Sequence, residues 1–431
     1  MKSIKYIFLL IISISTANLF AQVPIPAPAQ EKPILLKGGT AHLGNGQVIE
    51  NANVAFEQGK ITYVGVDSPG DESKYDVRNI SGKHIYPGFI ILNSQVGLDE
   101  VSSVRATRDG AETGELNPNV RSQIAFNTDS ENIPAFRFNG ILLAEATPQG
   151  GAISGSSSLM ELDGWNWEDA THSIDVAIHM NWPGKNRRQF DFSTYTVSYG
   201  PNPDYDKTYR EIKKLFEDSK AYKSAGSKDR NLKLESMLGL FDGSKVLIIH
   251  TEEAKGMVES VKFAQEMGVK RIAIVGDAEA LFAADFLAEN KIPVVLPKPH
   301  ALPDRSDDDY DLPYKLAVEL TKKGVEVTLS HSGMLANSRN LPFYAGTSVA
   351  WGMSKEDALK MITSNPAKLL GVDKRVGTLE TGKDATLFIS EGDALDMRTS
   401  VLISAFIGGR EITLDARQQW LFKKYSDKYG H

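Results

Sequence analysis

The chain has 431 residues, 41% hydrophobic and 24% charged, with a formal net charge of −7 and no cysteine. That length and apolar content support a large folded domain with a smaller companion, and exclude a disordered or fibrous chain. The acidic balance argues against general nucleic-acid binding, and the lack of cysteine removes disulfides, thiolate metal ligands and a thiol nucleophile together.

Residues 1–21 are organised like a secretory signal. Lys2 and Lys5 give a positive start, Ile7 to Ile14 is almost wholly apolar, and Ala21 before Gln22 offers a small residue at a cleavage point. The apolar core is too short for a comfortable bilayer crossing. Its removal takes the charge to about −9 and predicts a secreted or periplasmic protein without a membrane span. Over 22–33 the prolines that begin at Pro24 and Pro26 block both helix and central strand, so an extended leader is expected.

Residues 34–85 read as short strands, with turns at Gly44-Asn45-Gly46 and Gln58-Gly59. From 86 to 370, apolar runs alternate with helical segments, the pattern of parallel βα units. Strands are expected from Phe89 to Leu92, Ile141 to Ala144, Ile174 to Ile178, Val246 to Ile249, Arg271 to Val275, Pro293 to Leu296 and Val325 to Leu329. Val101 to Thr107 is taken as a short further strand, which makes eight. Helices are expected from Glu252 to Met267, Ala278 to Asn290 and Tyr314 to Lys323, with another begun by Ser354 and supported by Asp357 three positions on. Thr147 to Ser158 is rich in Gly and Ser but lacks the Lys and spacing of a phosphate loop, and is read as a flexible loop over the mouth. Residues 371–415 return to strands and turns, and 416–431 are left as a C-terminal tail.

In a closed βα ring, side chains at the C-terminal ends of the strands meet at one mouth. His179, His250 and His331 each follow a predicted strand. Arg187 and Arg188 could meet a substrate carboxylate through paired hydrogen bonds. Each of these residues also has an ordinary role open to it: a hydrogen-bonded structural imidazole, an exposed loop for the arginines, a helix cap for Asp277, an ion pair for Glu145.

Gly82-Lys-His-Ile-Tyr-Pro-Gly-Phe-Ile-Ile-Leu-Asn-Ser-Gln95, Ala358 to Asp373 and Gly377 to Ala385 resemble segments of the metal-dependent amidohydrolases, in particular the imidazolonepropionase-like branch. The resemblance implies an α/β fold, a TIM-like (β/α)8 barrel with a small composite β-sandwich made by both ends of the chain. It also implies a divalent metal, zinc foremost, and hydrolysis of a non-peptide or cyclic carbon–nitrogen bond. Asn93 and Gln95 stand where two histidine ligands are expected, and neutral amides are poor zinc donors. His250 matches the fifth-strand metal histidine. The sixth-strand histidine has no counterpart ahead of Gly276 and Asp277, and His331 or Ser332 falls where a catalytic aspartate belongs.

Two expectations follow. In one, a single re-sited metal is held by His250, His179 and Glu145, His331 and Asp277 take catalytic roles, and Asn93, Gln95, Arg187, Arg188 and Asn340 meet a small amide-like substrate. In the other, no cofactor is bound and the barrel holds a small ligand or a partner without catalysis. Homo-oligomerisation is left open.

Overall fold

A computed structural model describes residues 25–225, 229–297, 299–303, 305 and 307–430, so the signal expected over 1–21 lies outside the described residues. Five strands open the fold: β1 (Ile34–His42), β2 (Val48–Glu57), β3 (Lys60–Gly65), β4 (Asp76–Asn79) and β5 (His84–Pro87). The β2–β3 turn needs a left-handed backbone at both central positions, and Gln58 and Gly59 supply it at φ 49° and 77°.

The middle of the chain carries β6 (Phe89–Ser94), α1 (Ile133–Arg137), β7 (Ile141–Ala146), β8 (Ile153–Glu161), β9 (Thr171–Asn181), β10 (Asn186–Asp191), β11 (Thr196–Pro201), α2 (Tyr205–Ala225), α3 (Leu232–Ser236) and α4 (Gly239–Asp242). There follow β12 (Val246–His250), α5 (Ala254–Glu266), β13 (Ile272–Val275), α6 (Ala280–Glu289), β14 (Val294–Leu296), α7 (Leu312–Lys322), β15 (Val327–Leu329), α8 (Leu341–Ala350), α9 (Lys355–Lys360) and α10 (Ser364–Leu370). Ser354 caps α9 by accepting the Asp357 N–H at 3.0 Å. Last come β16 (Leu387–Ser390), β17 (Leu402–Ile407), β18 (Arg410–Ile412) and α11 (Arg417–Tyr429).

The strands form two large sheets. One runs β18-β17-β16-β5-β1-β2-β3, with β4 also on β1, and so joins both ends of the chain. Phe56 and Phe406 meet edge to face inside it at 4.9 Å. The other runs β15-β14-β13-β12-β9-β8-β7-β6, and a parallel bridge from Leu92 to Ser330 closes it into a barrel. The two are welded by an aromatic cluster, with Phe388 stacked on Tyr86 at 5.4 Å and set edge-on to Phe89 at 4.9 Å.

Inside the barrel, the side chains alternate with the pleat, so every second residue of a strand points inward. Ile90, Leu92, Leu143, Leu159, Ala177, Val246, Ile248, Ala273, Val275 and Val295 pack together there. Ala367, Leu369 and Leu370 of α10 close this apolar floor from below. Two residues further towards the rim, the same inward row becomes Glu145 after Leu143, His179 after Ala177 and His250 after Ile248. On β8 it becomes Ser157, two residues before Leu159.

Two expectations are corrected. Val101 to Thr107 is not a strand but an irregular loop with a 3-10 turn over Arg105–Thr107. The eighth barrel position belongs to β8, which runs antiparallel to both β7 and β9. The Gly/Ser-rich stretch is therefore a loop only up to Ala152, and from Ile153 it is buried sheet. Its serines fit a sealed interior because each hydroxyl is answered locally: Ser156 donates to the Pro118 carbonyl at 3.0 Å, Ser157 to Glu145 at 2.6 Å, and Ser158 to Gln123.

Gly155 shows why this strand needs glycine. Its φ is +149°, and an added Cβ would lie 2.6 Å from the Val120 carbonyl oxygen. Gly155→Ala is expected to lower stability by about 1–3 kcal/mol, read as a drop in the urea midpoint; an unchanged midpoint would show that β8 tolerates a side chain there.

Candidate functional site

The polar layer of the barrel is a hydrogen-bonded chain. Glu145 is fully buried, and its Oε1 accepts from Ser157 Oγ at 2.6 Å and from His179 Nε2 at 3.0 Å. Its Oε2 accepts the backbone N–H of Asn93 at 2.9 Å. Asn93 adopts φ 51°, a left-handed conformation that asparagine tolerates better than most residues and that turns its N–H back towards the carboxylate. The other nitrogen of His179, Nδ1, lies 2.9 Å from His250 Nε2. His250 Nδ1 has no hydrogen-bond partner among the described residues.

Burial alone would raise the pKa of Glu145, but the His179 ring beside it, the Asn93 amide and the Ser157 hydroxyl together hold it below the usual carboxylate range. His250 is pushed down from its ordinary 6.5 to about 3, first by burial and then by the neighbouring His179. It is a neutral imidazole at physiological pH. Two protons thus lie along the Glu145–His179–His250 line, one in each contact, whichever of the two rings donates across the 2.9 Å one.

As arranged, these groups do not fit a metal ion. Both Glu145 oxygens and both His179 nitrogens are spent on protein partners, whereas a metal requires lone pairs converging on one point about 2 Å away. Among the described residues no group of three or more His, Asp or Glu side chains is set to hold one. The expected ligands His250, His179 and Glu145 are adjacent, but as a relay.

A cavity of about 370 Å³ opens at the mouth, lined by Asn93, Gln95, Asp99, Glu100, Gln149 and His331 among others. Gln95 is largely occupied, since its Nε2 donates to the Thr147 carbonyl at 2.7 Å. The Asn93 side-chain amide makes no hydrogen bond to any described residue and is free for a ligand. His331 stacks on Tyr344 at 5.7 Å, with Nδ1 3.1 Å from the Tyr344 hydroxyl, which itself donates to the Asn337 carbonyl at 3.1 Å. A hydroxyl has one proton, so it accepts from His331 Nδ1–H, and Nε2 is left as the lone-pair nitrogen. That nitrogen is buried and without a hydrogen-bond partner among the described residues. Burial lowers the His331 pKa, and the nearby Met334 carbonyl offsets this only in part.

Other expected site residues lie elsewhere. Asp277 sits in the turn before α6, lining a separate depression with Leu302 and Leu312, and its backbone carbonyl takes the Ala280 N–H at 2.8 Å. The N-cap position of α6 is Glu279, so Asp277 is not its cap. Arg187 and Arg188 belong to the two-stranded ribbon β10–β11, a feature not foreseen from sequence; Arg187 faces Asp204 at 3.6 Å. Asn340 begins α8 and reaches the Tyr344 hydroxyl. Trp182 packs on Phe263 at 5.2 Å and on Tyr209 at 5.8 Å, among the outer helices. Tyr344 and Ser157 were missed: one lies on a late helix with no motif around it, and the other was hidden by the loop-like composition of β8.

Residues 317–412 match the amidohydrolase family model. The fold has a counterpart in an amidohydrolase from Thermotoga maritima MSB8, with a TM-score of 0.75 and 23% identity, covering 88% of this chain and 99% of that one. The chain has the amidohydrolase fold, and the family model covers its last barrel units and the start of the returning sheet. A 5-methylthioadenosine/S-adenosylhomocysteine deaminase from Moorella thermoacetica is 30% identical over 171 residues, 35% of this chain and 38% of the deaminase, so this amidohydrolase-fold chain spans well under half of that relative's length in the match. Phenylurea hydrolase B shares the fold at a TM-score of 0.52 and 12% identity, covering 89% of this chain and 97% of its own.

Breaking the relay should be costly. Glu145→Ala is expected to destabilise the fold by about 3–5 kcal/mol, because the buried His179 loses its carboxylate, as measured by chemical denaturation. The depressed pKa of His250 predicts an acid response of definite sign. Between pH 6.5 and about 3 the unfolded chain binds a proton that the folded chain refuses, so stability falls as pH falls through this window. His250→Asn should flatten that slope; an identical pH profile in the variant would refute the assignment.

Proposed function

We propose that this protein hydrolyses a carbon–nitrogen bond of a small amide-like molecule held in the mouth cavity, using imidazoles in place of a metal ion. The observation that carries the reading is the buried Nε2 of His331, without a hydrogen-bond partner among the described residues, on a ring that lines the cavity. The match of residues 317–412 to the amidohydrolase family model and the partial match to a deaminase support the reaction class.

In this reading a water held in the cavity gives a proton to His331 Nε2 while its oxygen bonds to the carbonyl or amidine carbon. The carbon–nitrogen bond then breaks, and the nitrogen leaves as amine or ammonia after taking a proton back. The Tyr344 hydroxyl fixes the tautomer of His331, and the Asn93 amide orients the ligand. The buried Glu145–His179–His250 line ties together the strand ends behind Asn93, whose backbone amide it holds.

A second reading, binding without hydrolysis, is favoured by one observation: Glu145 and His179 are saturated by protein partners, as befits groups retained for structure. Assay of released ammonia or amine from cyclic amides, N-acyl amino acids and methylthioadenosine separates the two. His331→Ala should lower kcat by about 10²–10⁴-fold with KM little changed. Thermal stabilisation by these molecules without any turnover would leave only the binding role.

Metal content gives an independent check. Protein purified without added metal should carry far less than one divalent ion per chain. A stoichiometric ion that disappears in His250→Ala would overturn the imidazole mechanism and restore a re-sited metal.

A further inference from the structure

Helix α11 (Arg417–Tyr429) has no buried residue, although it carries four aromatic side chains. Phe422 is 75% exposed, Tyr429 63%, Trp420 52% and Tyr425 48%. Leu421, Phe422, Tyr425 and Tyr429 recur at helical spacing and share one face, which no described part of the chain covers. A helix of this length is marginal in water without packing, so the face favours a covering surface.

The charge of the helix indicates which. Arg417, Lys423, Lys424 and Lys428 stand against the single acid Asp427, on a chain whose net charge is −7. Lys424 Nζ lies 5.2 Å from the Trp420 ring and 5.6 Å from Tyr425, and Lys428 Nζ lies 5.1 Å from Tyr429. Cations and amphipathic rings are therefore set side by side, the combination that suits the headgroup level of a bilayer. Self-pairing of two such basic helices across a two-fold axis would bring like charges together. No helix among the described residues is long and apolar enough to cross a membrane, so the contact would be peripheral. We propose that α11 is a surface-seeking helix that seats this protein on anionic phospholipid.

The test uses the chain from Gln22 onward, which keeps every described residue and removes the apolar start. It is floated with vesicles of phosphatidylcholine mixed with phosphatidylglycerol, and with phosphatidylcholine alone. Flotation with the mixed vesicles is expected, weakening as salt is added. Partitioning should fall at least about tenfold in K423E/K424E/K428E and in F422S/Y425S/Y429S, with the thermal midpoint of both variants unchanged because nothing in the helix is buried. Absence of flotation, equal binding to neutral vesicles, or equal binding by wild type and variants overturns the proposal. So does a concentration-dependent dimer that both variants abolish, which would give the face to a second copy.

Discussion

A carboxylate sealed away from water must be answered on every side, and the interior of this barrel is built around meeting that demand at Glu145. Five strands contribute, one of them through a residue in the left-handed conformation. Strand β7 supplies the acid, β8 the Ser157 hydroxyl, β9 the His179 ring, β12 the His250 ring behind it, and Asn93 at the end of β6 its backbone amide. A group desolvated this far would abandon its charge without such partners. The ring closure, the conformation of Asn93 and the reversed β8 can thus be understood together, since each places a donor where one carboxylate requires it.

The change from apolar to polar along the inward row divides the lumen into two layers. Below Leu143, Ala177 and Ile248 the lumen is a plugged hydrophobic core; one pleat above, it is a line of proton-carrying groups. Thr328, registered opposite Val295, is fully buried with its hydroxyl unpartnered among the described residues, so even the apolar layer is not wholly so. The two imidazole systems differ in kind. His250 ends a chain whose other members are internally satisfied, whereas His331 is held at one nitrogen and left open at the other.

Much of this was legible in the sequence, for physical reasons that differ from residue to residue. Parallel strands such as β12 and β13 announce themselves because they are buried on both faces and read as unbroken apolar runs. The meeting of Glu145, His179 and His250 follows from the rule that strand ends share a rim. Strand β8 was illegible because its interior is filled with glycine and serine, residues whose composition suggests a loop and whose burial depends on hydrogen bonds that only the tertiary fold supplies. The same limit hid the use to which the histidines are put. Spacing can bring imidazoles together, but whether their lone pairs converge on an ion or on each other is a matter of ring orientation, which no motif encodes.

Reversing one strand has a topological consequence. The turn between β8 and β9 emerges at the end of the barrel remote from the cavity, where Asp163 clasps Arg137 and Arg410 at 2.7 Å each and takes the Ala27 amide at 3.0 Å. A ring of uniform βα units would offer no hairpin on that side. Here the hairpin acts as a handle by which the leader and the last strand of the neighbouring sheet grip the barrel, leaving the opposite end free to diversify.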